Sequence, residues 1–291
     1  MANASSPTLP GGHPTGIFKT TRTDRWWLGP LLTVAGLGAF VVYSTWRAFM
    51  ASDYITGTYL SPFYSPLLWY TADLQGTTLT AAHAHSWFKA SIPQGILDLW
   101  PSWLPFALSP AFFILIFPGS FRGTCYYYRK AYYRSFFATP SGCSVCPVGQ
   151  KKYNGETKLL LIQNLHRYAL YGAIAFIFIL YYDAFIALKN LDGQWGIGVG
   201  TFVLFMNATL LAGYTFGCHS FRHLIGGRFN RFATAAGMPR LSHKLWRGVT
   251  WLNERHSKFA WASLFWVGFT DFYVFAICRG WITDLNTWGA G

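Results

Sequence analysis

Long apolar stretches separated by polar connections dominate the pattern of the chain. A helix needs about 20 predominantly apolar residues to cross the hydrocarbon core of a bilayer. Five stretches meet that length, at 26–50, 101–121, 166–188, 197–218 and 259–282. The pattern therefore predicts an all-α integral membrane protein whose domain, 26–284, is a bundle of five transmembrane helices. In the second span, Pro105, Pro110 and Pro118 are expected to bend the helix.

The remaining segments are too polar to cross a membrane. Residues 1–25 are rich in Pro, Gly, Ser and Thr, which predicts a flexible tail and not a cleavable leader. The connection 51–100 contains short aromatic pieces that we expect to lie along the membrane interface, where Trp and Tyr settle. His83 and His85 in this connection are interpreted as ordinary loop histidines, and 285–291 as a short C-terminal tail.

Composition and charge agree with a membrane protein and give its orientation. Only 11% of the residues are charged, against about 25% in soluble domains. The net charge of +13 does not indicate nucleic-acid binding, because the basic residues fall between the apolar spans. Segments 1–25, 122–167 and 222–258 hold 19 of the 23 Lys and Arg residues. The positive-inside rule then predicts a multi-pass protein of the cytoplasmic membrane, with a cytoplasmic N-terminus and an outside C-terminus.

Cysteines and histidines gather near the predicted cytoplasmic ends of four spans. Polar and ionisable groups at membrane depth are costly, and they are usually functional. At the end of the fourth predicted span, His219 and His223 are four residues apart and share a helix face. Cys218 points about 100° away from His219. The candidate ligands are Cys125, Cys218, His166, His219, His223 and His256.

Three kinds of cofactor fit these residue types. Haem takes axial histidines, a Rieske-type [2Fe–2S] cluster takes two Cys and two His, and zinc accepts the same thiols and imidazoles. A purely structural role for these histidines is a further alternative. The CxxC formed by Cys143 and Cys146 has no second CxxC to complete a four-thiolate site, so it stays outside the main hypothesis. Cys278 is interpreted as a buried apolar thiol.

Three strings carry a resemblance to a known family. They are CYYYRKAYYRSFF from residue 125, QNLHRY from residue 163 and CHSFRHLIGG from residue 218. Over about 26–284 the chain resembles the membrane-anchor subunit of actinobacterial-type succinate dehydrogenases, in which one five-helix chain replaces the usual anchors. The resemblance implies a flavoprotein subunit that oxidises succinate and an iron–sulfur subunit docked on the cytoplasmic face. It implies that the anchor passes electrons to quinone or menaquinone, and that the isolated chain has no catalytic activity.

The resemblance also implies a membrane-embedded Rieske-type [2Fe–2S] cluster. Its ligands would be Cys125, Cys218, His166 and a histidine of the CHSFRH string. Members of the family often have a further Cys in this string, at a position that Phe221 occupies here, so the two thiols are those of Cys125 and Cys218.

A quinone site needs aromatic walls and one or two hydrogen-bond donors. Residues at the predicted cytoplasmic helix ends offer both, and the candidates are Tyr126, Tyr127, Arg129, Arg222 and Trp261. The alternatives are a haem b-ligating respiratory anchor and a non-redox scaffold or transporter with structural histidines. Membrane lipid is an expected partner, and a higher oligomer of the complex remains open. Asp183, Asp271 and Arg279 are interpreted as interfacial polar groups, with proton transfer and a second quinone site as the alternatives.

Overall fold

A computed structural model describes residues 16–148, 164–227 and 240–288. The chain divides into two compact units. The first unit comprises 1–38 and 126–157, and the second comprises 39–125 and 158–291.

In the first unit, two segments that are distant in sequence pair with each other. Helix α1, Leu28–Met50, begins in this unit, which also contains α5, Tyr126–Ala131, and a π-helical turn, Tyr132–Phe136. Thr20 lies opposite Val145 in an antiparallel bridge, and the amide of Phe18 donates to the carbonyl of Cys146 at 3.2 Å. The described part of the expected N-terminal tail therefore makes ordered backbone contacts.

Four of the described helices are long and apolar enough to cross a membrane. They are α1, α6 (His166–Ile186), α7 (Val199–Phe216) and α10 (His256–Cys278). These helices correspond to the first, third, fourth and fifth predicted spans. Helix α7 packs against both α6 and α10. The fold is mostly helical, as the apolar periodicity indicates, and the chain is a multi-pass membrane protein.

The second predicted span does not form one continuous helix. Residues 101–109 are irregular, a 3₁₀ turn covers Pro110–Phe113, and the short helix α4 covers Ile116–Gly123. Proline has no backbone N–H and clashes with the preceding turn of a helix. The prolines expected only to bend this span instead divide it, and five helices of membrane length are not confirmed in the described residues. Helix α4 packs along α6.

The connection 51–100 is folded, and its first part, 51–71, is largely buried, which differs from the expected interfacial pieces. Strands β1, Ile55–Thr56, and β2, Tyr59–Leu60, form an antiparallel hairpin with Ile55 opposite Leu60. Helices α2, Gly76–His85, and α3, Gln94–Leu97, follow. Burial of aromatic rings explains the difference. Tyr54 and Tyr64 are 0% exposed, stack at 4.3 Å, and belong to a core that includes Val267 of α10.

The remaining described elements of the second unit are two helices before α10 and the residues near the C-terminus. Helix α8, His219–Gly226, follows α7 directly, and α9, Arg240–Glu254, packs against α8 and leads into α10. Near the C-terminus, the amide of Val199 donates to the carbonyl of Leu285 at 3.0 Å. The described part of the expected C-terminal tail is therefore paired with the first residue of α7.

Candidate functional site

Two thiols and two imidazoles from distant parts of the sequence meet inside the second unit. Cys125 follows α4, His166 begins α6, Cys218 lies between α7 and α8, and His256 begins α10. Nε2 of His166 lies 3.0 Å from Sγ of Cys218, and Nε2 of His256 lies 3.6 Å from Sγ of Cys125. These four side chains are called the Cys/His cluster below.

A glycine at the end of α7 brings Cys218 into this position. A Cβ atom at Gly217 would lie 2.7 Å from the carbonyl oxygen of Gly213 and 3.0 Å from that of Leu252. Only glycine therefore permits this approach between the end of α7 and α9. The next residue, Cys218, is the N-cap of α8, and its Sγ accepts a hydrogen bond from the amide of Ser220 at 3.4 Å.

Aromatic rings hold the planes of both histidines. Phe121 stacks on His166 with a centroid distance of 4.5 Å, and Tyr214 stacks on His256 at 4.9 Å. The interplanar angles are 13° and 14°, so both contacts are nearly parallel. Phe121 and Tyr214 also touch each other edge to face at 5.4 Å. The two stacked pairs therefore form one continuous aromatic group beside the cluster.

The two histidines differ in the hydrogen bonds of their Nδ1 atoms. Nδ1 of His166 lies 3.0 Å from the hydroxyl of Thr124. Nδ1 of His256 is buried and has no hydrogen bond of normal geometry in the described residues. A buried polar atom without a partner is costly, so Nδ1 of His256 is less well satisfied than Nδ1 of His166.

The side chains of the Cys/His cluster are all of types that bind metal ions. Cys125 and Cys218 are 2% and 3% exposed, and His166 is also buried. Two thiols and two imidazoles are the ligand types of a Rieske-type cluster, and zinc also accepts them. In the described part of the chain, no three His, Cys, Asp or Glu side chains converge on the position of one metal ion. The four groups instead form two Cys–His pairs.

The histidines of the CHSFRH string are placed differently from the expectation. His219 and His223 are both exposed on α8, and no hydrogen bond in the described residues joins either to the Cys/His cluster. The second histidine of the cluster is His256, from the start of α10. Helix α7 ends at Phe216 and α8 begins at His219, so both neighbouring histidines belong to a new helix and lie on its exposed side. Cys143 and Cys146 lie in the first unit and outside the cluster.

A cavity of about 430 Å³ lies next to the aromatic group in the second unit. Phe121 and Tyr214, the two rings that stack on the cluster histidines, form part of its wall, together with Arg122. The guanidinium of Arg122 lies 4.7 Å from the ring of Tyr214 and donates to Oγ of Ser263 at 2.9 Å. Most of the other lining side chains are apolar, among them Phe40, Phe63, Phe112, Ala173, Ile177 and Leu180.

The expected quinone-binding residues are found in both units. In the first unit, the guanidinium of Arg129 lies 4.4 Å from the ring of Tyr126, and Tyr127 packs against Tyr128. In the second unit, Arg222 donates to Thr250 at 3.1 Å and Trp261 stacks on Phe265.

Arg222 and Trp261 are not among the residues that line the cavity of their own unit. The cavity-lining cation is Arg122, three residues before Cys125, which the sequence analysis did not select. Its short spacing from Cys125 was the signal that could have indicated it.

A second buried polar cluster lies around Asp271, toward the other end of α10 from His256. Asp271 accepts hydrogen bonds from Arg47 Nε at 2.8 Å, from Tyr43 and from Ser61. Arg47 and Asp271 are both 0% exposed. Asp271 and His256 are 15 residues apart on α10, which corresponds to about 22 Å along the helix. Arg47, Tyr43, Ser61 and Asp271 are called the Arg/Asp cluster below.

Comparisons with known proteins identify the family. The family model described as actinobacterial succinate dehydrogenase subunit SdhC matches residues 28–280. A solved structure described as the Mycobacterium smegmatis Sdh1 complex in the apo form contains a chain similar to this one. That chain is 42% identical, the match covers 93% of this chain and 94% of that chain, and the TM-score is 0.76. No curated protein sequence matches the chain.

The family match covers most of the chain, including all four long helices and every member of the Cys/His cluster. The resemblance that the three sequence strings indicated is thereby confirmed. The chain belongs to the actinobacterial succinate dehydrogenase SdhC family, and it is the membrane subunit of a succinate dehydrogenase complex.

Proposed function

We propose that this subunit holds a Rieske-type [2Fe–2S] cluster on the Cys/His cluster and passes electrons through it to a quinone. The observation that carries the proposal is the meeting of two buried thiols with two imidazoles from four separate segments. Polar and ionisable groups at membrane depth are costly, and they are usually functional. The stoichiometry of two Cys and two His matches the ligand set of a Rieske-type centre.

The side chains of Cys125, Cys218, His166 and His256 would hold the cofactor. The thiols would bind as thiolates and the imidazoles as neutral rings, because metal ligands must be deprotonated. When bound, such a cluster supplies reversible electron transfer at a potential set by its ligands and surroundings. The protein excludes water from the site, since three of the four ligands are buried. The stacked rings of Phe121 and Tyr214 hold both imidazoles in fixed planes.

The cavity beside the cluster is the proposed quinone site. Its volume of about 430 Å³ lies within the usual range for ligand pockets, roughly 300–1,000 Å³. Apolar and aromatic walls suit a quinone ring, and Arg122 supplies a cationic hydrogen-bond donor at the wall. Because Phe121 and Tyr214 touch both the cavity and the histidines, a bound quinone would be separated from the ligands by single aromatic rings.

Within the complex, we propose that electrons arrive from an iron–sulfur subunit docked at the Cys/His end of the second unit. A flavoprotein subunit would oxidise succinate and supply those electrons. The connections 122–167 and 222–258 flank the cluster ligands in sequence and are rich in Lys and Arg, whose charge would attract an acidic partner surface. By the positive-inside rule, both connections would lie on the cytoplasmic side of the membrane.

The test is an electron paramagnetic resonance spectrum of the purified, dithionite-reduced complex. We expect the intact complex to give a Rieske-type signal of low average g value. The Cys125→Ser variant should lose this signal, and the matched variant Cys143→Ser, which changes a thiol outside the cluster, should keep it. Quinone reduction by the complex should likewise be lost in Cys125→Ser and retained in Cys143→Ser.

Other spectra would overturn the proposal. Absence of the signal together with haem b bands in the optical spectrum would make the histidines axial haem ligands. Absence of both cofactors, with zinc found by elemental analysis or with no metal found, would make the Cys/His cluster structural.

A further inference from the structure

The hydroxyl group of Thr124 connects the end of α4 to the first residue of α6. Thr124 is the C-cap residue of α4. Its Oγ1 lies 2.7 Å from the carbonyl oxygen of Ser120 and 3.0 Å from Nδ1 of His166. The hydroxyl therefore has two neighbours, of which one is a member of the Cys/His cluster.

Proton counting determines the direction of both hydrogen bonds. A threonine hydroxyl has one proton to donate and can accept through its lone pairs. The carbonyl of Ser120 can only accept, so the hydroxyl proton points to it, over the shorter of the two distances. Oγ1 then accepts from His166, and the proton of the neutral imidazole is on Nδ1. The other ring nitrogen, Nε2, has a free lone pair directed at Sγ of Cys218, 3.0 Å away.

The ring of His166 is also held in place mechanically. Phe121 stacks on one of its faces at 4.5 Å, and the side chain is buried. Stacking fixes the plane of the ring, and the Thr124 hydrogen bond fixes its rotation within that plane. His256 has a stacked ring too, but its Nδ1 lacks an equivalent hydroxyl in the described residues. The ring of His166 therefore has both a stacking partner and a hydroxyl partner, whereas His256 has a stacking partner but no such hydroxyl in the described residues.

We propose that Thr124 is a positioning residue that holds His166 in the Nδ1–H tautomer, so that Nε2 is the atom that binds iron. This inference rests on the proposed function, since it concerns a ligand of the proposed cluster. A hydrogen-bond acceptor on the distal N–H orients a metal-bound imidazole and raises its basicity. A more basic ligand favours the oxidised metal. Loss of the Thr124 hydroxyl therefore shifts the cluster toward its reduced form.

The experiment is a potentiometric titration of the Rieske-type signal at fixed pH in three variants of the purified complex. Thr124→Val removes the hydroxyl with little change of shape, and Thr124→Ser keeps it. Thr270→Val is the control. The Thr270 hydroxyl is buried and donates to the carbonyl of Trp266 at 2.8 Å. In the described residues it makes no hydrogen bond to a member of the Cys/His cluster. Iron content per complex is measured in parallel.

We expect Thr124→Val to raise the reduced-to-oxidised ratio about tenfold at a given potential, equivalent to about 59 mV for one electron. It should also lower iron retention by about tenfold. Thr124→Ser and Thr270→Val should titrate like the unchanged complex. If Thr124→Val does not assemble, Thr124→Ala removes the same hydroxyl with a smaller side chain and is compared in the same way.

Different results would overturn different statements. A Rieske-type signal whose titration and iron content are the same in Thr124→Val and the unchanged complex would overturn the role of Thr124 alone. An equal shift in Thr124→Ser and Thr124→Val would also overturn it, because the hydroxyl would then have no special effect. Absence of the signal from the unchanged complex would overturn the proposed function itself.

Discussion

The Arg/Asp cluster and the Cys/His cluster of the second unit differ in how completely their members satisfy one another. In the Arg/Asp cluster, a carboxylate meets a guanidinium and two hydroxyl donors. Arg47 also donates to the carbonyls of Ser52 and Asp53. In the Cys/His cluster, two thiols face two imidazoles with no opposite charges, and Nδ1 of His256 has no hydrogen bond of normal geometry.

This difference separates a structural role from a ligand-binding role. Burial of a charge is tolerated when an opposite charge and hydrogen bonds compensate for lost hydration. The Arg/Asp cluster meets that condition without any added group, so we interpret it as a structural connection among α1, α10 and the segment after β2. The Cys/His cluster contains soft metal ligands that only weakly satisfy one another. An added metal cofactor would use all four groups, which agrees with the proposed function.

The sharpest test of the comparison is the removal of one imidazole from the Cys/His cluster. We expect His256→Ala to abolish the Rieske-type signal and quinone reduction, because one iron would lose a ligand. His223→Ala is the matched control and should retain both, since His223 is exposed on α8. The measurements are the spectrum of the reduced complex and the rate of succinate-dependent quinone reduction. The reverse result, with loss only in His223→Ala, would move the ligand back to the CHSFRH string.

Removal of the buried carboxylate should have the largest effect on stability. Asp271→Ala leaves the Arg47 guanidinium buried without its counter-charge, which we expect to cost about 3–5 kcal/mol of unfolding free energy. Thermal unfolding of the purified complex measures this loss. Complex that does assemble should keep its Rieske-type signal, because Asp271 lies about 22 Å from His256 along α10. Loss of the signal in assembled complex would mean that the two clusters are coupled.

The buried side chain of His85, which lies outside both clusters, predicts that the stability of the protein depends on pH. Both ring nitrogens of His85 are buried without a hydrogen-bond partner in the described residues, and burial lowers the pKa of His85 to about 4. The unfolded chain binds this proton near pH 6.5, whereas the folded chain does not until the pH is near 4. The protein should therefore lose up to about 3 kcal/mol of stability as the pH falls through this window.

Replacement of the two neighbouring histidines checks this assignment. The melting temperature of His85→Leu should fall less steeply between pH 6.5 and pH 4.5 than that of the unchanged protein. His83→Gln, at an exposed position two residues earlier, should leave the slope unchanged. Equal slopes in all three proteins would show that His85 is not the titrating group.

The smallest expected effect concerns the cavity. Ala173 is buried and lines it, so Ala173→Leu should fill part of the space and raise the KM for quinone about tenfold. The Rieske-type signal should remain, because Ala173 is not a ligand. Ala175→Leu adds the same side chain on the exposed face of α6 and should leave the KM unchanged. An unchanged KM in Ala173→Leu would place quinone outside this cavity.

Long apolar segments were readable from the sequence, whereas the proline-containing one was not. Four predicted spans correspond to four long helices, because about 20 apolar residues have few stable alternatives in lipid. The segment 101–121 has similar hydropathy, but its prolines divide it into a 3₁₀ turn and a short helix. Hydropathy reports affinity for lipid and does not report whether the backbone can complete its hydrogen bonds.

The connection 51–100 shows a second limit of pattern analysis. Its polarity predicted an interfacial position, yet Tyr54, Tyr64 and Ser61 are buried against the helices. Polar side chains can be buried when partners are available, and here Asp271 accepts from Ser61 and the backbone of Arg47 accepts from Tyr64. Asp271 is 210 residues away from Ser61 in sequence, so a local pattern could not reveal this partner.

The sequence by itself determined the class of protein, the family and three members of the Cys/His cluster. Cys125, Cys218 and His166 occur in distinctive strings at helix ends, and residue type and local position were sufficient to select them. Only the tertiary structure distinguished His256, which lies beside Cys125, from His219 and His223, which are exposed on α8. The cavity and the place of Arg122 in its wall likewise became visible only in the tertiary structure. Ligand chemistry is a property of single residues, whereas convergence depends on how separate helices pack.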